Sequence, residues 1–104
     1  MNPVTRRSSR RRTALLLIDF MNPLDFDGAN AMAPQAVRAA KRAAALRRKM
    51  HASREPVIYA NDNFGRWRSD FREVVQHCLH EDVTGRPIAE LLAPDREEDR
   101  KSVV

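Results

Sequence analysis

The five consecutive apolar residues at 14–18 run directly into a carboxylate at Asp19, in the stretch TALLLIDFMN. A run this short, continuous and rich in leucine and isoleucine reads as a β-strand over residues 13–19, buried on both faces. Strands of that kind belong to parallel sheets covered by helices on each side. An unpaired charge is costly inside such a layer, so Asp19 is expected where the strand ends and the chain leaves the core. A second run, REPVIYAND at 54–62, has the same form: it is entered through Pro56 and closes on Asn61 and Asp62.

Between the two strands, NPLDFDGAN carries loop chemistry in Pro23, Asp25, Asp27, Gly28 and Asn30. Pro34 suits a helix start. From there Ala36, Ala39, Ala40, Ala43, Leu46 and Met50 recur at helical spacing, with Arg38, Lys41, Arg42, Arg48 and Lys49 largely on the other side. After the second strand, NFGRWRSD reads as a loop broken at Gly65. Ser69 or Asp70 can cap the next helix, Asp70 with Glu73 having capping-box spacing. Phe71, Val74, Val75, Cys78 and Leu79 then form an i, i+3, i+4, i+7, i+8 stripe. Thr84 and Gly85 interrupt, Pro87 opens a short helix with Ile88, Leu91 and Leu92 on its apolar side, and Pro94 ends it.

Strand, helix, strand, helix with short connections is the pattern of a parallel α/β sheet. Parallel strands need neighbouring strands and helices on both faces, and two strands do not supply them. The expected fold is therefore the N-terminal portion of a doubly wound parallel sheet, with about two strands and two to three helices. The closing stretch LLAPDREEDRKSVV passes from a periodic pattern into charge. Its residues 99–104 are also what a widely used sequencing adapter encodes in frame, directly ahead of a stop codon. The expected organisation is a basic disordered tail at 1–12, the α/β portion at 13–98 and a non-native end at 99–104.

The formal net charge of +5 suggests a nucleic-acid partner until it is mapped. Arg6, Arg7, Arg10, Arg11 and Arg12 lie in an acid-free leader, and without them the basic and acidic residues number 14 each. The body is neutral, and nucleic acid is not the expected partner. The single cysteine, Cys78, excludes an internal disulfide framework and fits a reducing compartment. The apolar run is too short for a membrane span, and Asp19 interrupts any secretion-signal reading. A cytoplasmic location is expected.

Ligands of open α/β sheets bind at the carboxyl ends of the strands. Asp19 ends the first strand and Asn61 and Asp62 the second, so neighbouring parallel strands would bring all three to one crevice. Cys78 falls mid-helix on the apolar stripe and reads as a core residue. His77 and His80, in HCLHED, share a helix face, but no second cluster completes a tetrahedral set, so no metal is expected.

The segments ALLLIDFMNPLDFDGA, PVIYANDNFGRWRSDF and GRPIAELLAP resemble, in order and spacing, the isochorismatase-like cysteine hydrolases. The resemblance spans about residues 13–94, and NDNFGRWRSDF is its most specific part. It implies a Rossmann-like three-layer α/β domain with a catalytic Asp, Lys and Cys and no cofactor. Asp19 matches the family's aspartate, the base that accepts the thiol proton before the thiolate attacks an amide-type carbonyl. The family's lysine and cysteine come later than this chain reaches. Lys101 lies near the expected distance for the lysine but lacks the preceding strand, so the role is not carried over. Met21 stands where the family often has Gln. The family's metal-binding nicotinamidase branch has a histidine after the second strand that is missing here, which further disfavours a metal.

Asn61, Phe64, Trp67 and Arg68 follow the second strand and are placed on the substrate side, with Arg68 able to meet an anionic group; Trp67 either walls an apolar pocket or, the preferred reading, packs beneath the loop. The expected function is a portion of a cysteine hydrolase acting on a small amide or related substrate, inactive as residues 1–104 alone, poorly soluble, and compatible with homo-oligomerisation of the full protein. The alternative is a non-catalytic α/β interaction module or gene remnant, dimerising through its sheet edge with the Arg tail on nucleic acid. A receiver-like domain ranks last, because receivers carry their phosphoacceptor on a third strand.

Overall fold

The computed structural model describes residues 13–62 and 71–103. Leucine and isoleucine in the first apolar run form β1, Leu15–Ile18, and the second run forms β2, Val57–Ala60. The two are parallel and in register from Leu15 opposite Val57 to Ile18 opposite Ala60. Between them runs α1, Ala29–Ala52. Three further helices follow: α2, Phe71–His80, α3, Arg86–Leu92, and α4, Arg96–Lys101. Beyond α4, Val103 lies parallel to β2: its N–H donates to Tyr59 O at 2.9 Å and its carbonyl accepts from Asn61 N–H at 3.0 Å. The described residues thus form a small α/β unit on a two-stranded parallel sheet. None of its helices is long and apolar enough to cross a membrane.

One face of the sheet is covered. Leu17, Val57 and Tyr59 pack with Ala40 and Ala44 of α1, Phe71, Val74 and Cys78 of α2, and Ile88 and Leu92 of α3. Tyr59 is completely buried; its hydroxyl donates to Leu92 O at 2.7 Å and its ring centroid lies 5.1 Å from that of Phe71. Burial pushes its phenol well above the ordinary value. The opposite face is open. Leu16 is 54% exposed and Ile18 60%, so β1 alternates where burial on both sides was expected. A continuous apolar run marks a strand that can be covered twice, and among the described residues only one cover is present.

The helix α1 also departs from expectation. It begins at Ala29 rather than at Pro34, which sits inside it. Gly28, at φ 87°, turns the chain into the helix, and three of the next five residues are alanine. Proline lacks an N–H for Asn30's carbonyl, so the helix forgoes that bond in its second turn. The buried positions are Ala29, Ala40 and Ala44, with Ala36, Ala43 and Met50 packed partly against the core and Arg47 half-buried, while Ala39 lies exposed and Leu46 is 45% exposed. Arg47 turns to the covered side because a charge waits there.

That charge is Glu98, only 2% exposed, on the unexpected helix α4. Asp95 and Glu98 form a reciprocal capping box: Asp95 Oδ1 accepts from Glu98 N–H and Glu98 Oε1 from Asp95 N–H, each at 2.8 Å. Arg47 grips both carboxylate oxygens, Nη2 to Oε1 at 2.7 Å and Nε to Oε2 at 2.9 Å. The ring Nε2 of His51 lies 2.8 Å from Oε2. Burial raises the Glu98 carboxyl, but the Arg47 hydrogen bonds, the Asp95 N–H and the Arg47 charge outweigh it and hold the carboxyl below its ordinary value.

Cys78 has no exposed surface, and burial pushes its thiol up to about 11. It should therefore resist maleimide labelling in the native state and react at the rate of global unfolding. Rapid labelling without loss of helical circular dichroism would show that α2 detaches by itself.

Candidate active site

At the carboxyl end of β1, Asp19 adopts φ 59°, a left-handed conformation that aspartate tolerates better than most side chains. Its N–H still pairs with Ala60 O at 2.9 Å, as if the strand continued. The turn leaves the carboxylate exposed at the lip of the sheet, while Met21, two residues on, is fully buried in the core. Asp19 Oδ1 accepts the Asp62 N–H at 3.2 Å. The parallel register therefore brings Asp19 and residues 61–62 to one edge, as the strand ends predict.

Asn61 is 6% exposed and turned inward. Its Oδ1 accepts the Met21 N–H at 3.1 Å, and its Nδ2 donates to Met21 O and to Asp62 O, both at 2.9 Å. Phe64, Trp67 and Arg68 lie outside the described residues, as does the Ser69–Asp70 cap.

Beside Asp19 is a pocket of about 180 Å³ lined by Ile18, Phe20, Met32, Ala36 and Ile88 among others. The loop behind it is held by Asn22, whose Oδ1 accepts Leu24 N–H at 2.8 Å, and by Gly85, whose N–H donates to Pro23 O at 2.9 Å. The edge thus offers the solvent-facing Asp19 carboxylate beside an apolar recess.

The other titratable candidates lie elsewhere. Cys78 is sealed in the core. Lys101, in the last turn of α4, pairs with Glu97 at 3.3 Å and lines a recess with Pro56 and Val57, at the amino end of β2 and so opposite Asp19. His77 is half-buried and His80 exposed on α2. Among the described residues, His51, Asp95 and Glu98 place ligand atoms within 4.8 Å of one another. The Arg47 guanidinium already holds both Glu98 oxygens there, so an entering cation would have to displace it. Periodicity missed Arg47 and Glu98; the D-x-x-E spacing of Asp95 and Glu98 directly after Pro94 was the available signal.

The chain is 29% identical over 73 residues to the "Uncharacterized isochorismatase family protein YaaI" of Bacillus subtilis (strain 168). The match covers 70% of this chain and 40% of that relative. It supports a distant relationship to the isochorismatase family. No family model matches the chain, and no solved structure does. The chain therefore spans about two fifths of the length of the curated relative it matches.

Proposed function

We propose that this chain contributes the aspartate base to an isochorismatase-like cysteine hydrolase with a doubly wound α/β domain, acting on a small amide or related substrate. The carrying observation is the Asp19 carboxylate, exposed at the carboxyl end of β1 and oriented by the Asp62 N–H. The distant relationship to an isochorismatase family protein supports the same reading. In the proposed reaction, Asp19 takes the proton of a cysteine thiol and the thiolate adds to the carbonyl carbon. The amine leaves with a proton, and water cleaves the resulting thioester. No residue of this chain is assigned the nucleophile or the lysine, so residues 1–104 alone are expected to show no turnover.

The test uses the full-length protein expressed from its genomic reading frame, with amine release measured across small amides. Asp19→Asn is expected to lower turnover by about 10²- to 10⁴-fold with folding unchanged. Full activity in Asp19→Asn, alongside loss on thiol alkylation, would show that another group is the base.

A further inference from the structure

We infer that Asn61 is a positioning residue for the Asp19 carboxylate, locking the turn that follows β1 to the end of β2; this rests on the reading of Asp19 as the base. An asparagine side chain offers one carbonyl acceptor and two N–H donors. Both donors and the carbonyl go to main chain: Oδ1 accepts from Met21 N–H, and Nδ2 donates to Met21 O and Asp62 O. The side chain thereby pairs with Met21 as a neighbouring strand residue would, where the two strands themselves have ended.

The consequence falls on Asp19. Its N–H is tied to Ala60 O, and Asn61 ties the chain again two residues later, so the turn is anchored at both ends to adjacent residues, the last of β2 and the one after it. Between the anchors, Asp19 is held at φ 59°, a conformation that would relax if one were released. Holding it leaves Oδ1 facing the Asp62 N–H. Asn61 also anchors Asp62 through the latter's carbonyl, so both partners of the carboxylate contact depend on the same side chain. Chemistry and length restrict the position. Aspartate accepts from Met21 N–H but cannot donate, and glutamine is one methylene too long for the same pair.

The test is amide hydrogen exchange, residue by residue, on the ¹⁵N-labelled chain. In Asn61→Ala the protection factors of Met21 and Asp62 are expected to fall about tenfold, the scale of one lost hydrogen bond. Those of Asp19 and Val103, whose N–H groups pair with β2 main chain, should change less than about threefold. Asn61→Asp is isosteric and keeps the acceptor. It should retain protection at Met21 and lose it at Asp62, which decides the matter if the alanine variant does not fold. Wild-type protection at Asp62 in either folded variant overturns the inference. So does uniform loss of protection in both, which would make Asn61 a general determinant of folding. Unchanged turnover in Asp19→Asn would strike the base assignment and leave the exchange result standing; unchanged Asp62 exchange would do the reverse.

Discussion

Arg47→Leu is expected to lower stability by about 3–5 kcal/mol, the cost of stranding a buried carboxylate. Single domains typically hold only about 5–15 kcal/mol in total, so much of the variant's population should unfold in mild urea. Glu98 is 2% exposed and Arg47 holds both of its oxygens, so removing the guanidinium leaves a desolvated charge with only His51 and the Asp95 N–H. Adding Glu98→Leu should restore most of the loss, because an apolar pair of similar volume has no charge to desolvate. A urea double-mutant cycle measures the coupling, and two single losses that merely add would refute it. The pH dependence has a definite sign. The Glu98 carboxyl titrates below its ordinary value of 4.5 in the folded protein, so its contribution is present above that value and is lost as pH falls through the folded one. In Arg47→Leu the stranded carboxylate is relieved by protonation. The gap between wild type and variant should therefore narrow on acidification.

Gly85→Ala should cost about 2–4 kcal/mol, combining overpacking with the strain or loss of one hydrogen bond. A Cβ at Gly85 would stand 1.7 Å from the Asn22 carbonyl oxygen and 2.9 Å from its carbon. Both are main-chain atoms, so no rotamer change relieves the clash. The loop must move as a body, and the bond from Gly85 N–H to Pro23 O stretches with it. Gly28→Ala is the control. Nothing lies within 4 Å of a Cβ there, so only the left-handed φ of 87° opposes it, at about 1 kcal/mol. Urea midpoints order the two, and equal midpoints would show that the Asn22–Pro23 loop is free to give way.

The Gly85 contact also shows how the edge carrying Asp19 is built from distant parts. The 19–24 segment is held by Asn61 at one end and by the start of α3 at the other. Residue 85 reads locally as a helix breaker, and nothing in its neighbourhood announces that a loop sixty residues earlier lies against it. Asn61 reads equally well as a group at a strand end facing the crevice. Which way its amide turns depends on where Met21 lies in space.

The features legible from the chain's residues are local in origin. The apolar runs became β1 and β2, the Phe71, Val74, Val75 and Cys78 stripe became the buried side of α2, and the end of an apolar run marked where Asp19 would emerge. Each follows from a repeat or a boundary within a few residues. Only the packing in three dimensions set which face of β1 is covered, and that α1 turns Arg47 toward Glu98 while Leu46 stays exposed. It also decided that Glu98 is buried and that Asn61 clamps Met21. Hydropathy periodicity assumes that the cheapest residue to bury is apolar. That assumption fails wherever a partner charge or an unpaired main-chain amide, 40 or 51 residues away, makes a polar side chain the better filling.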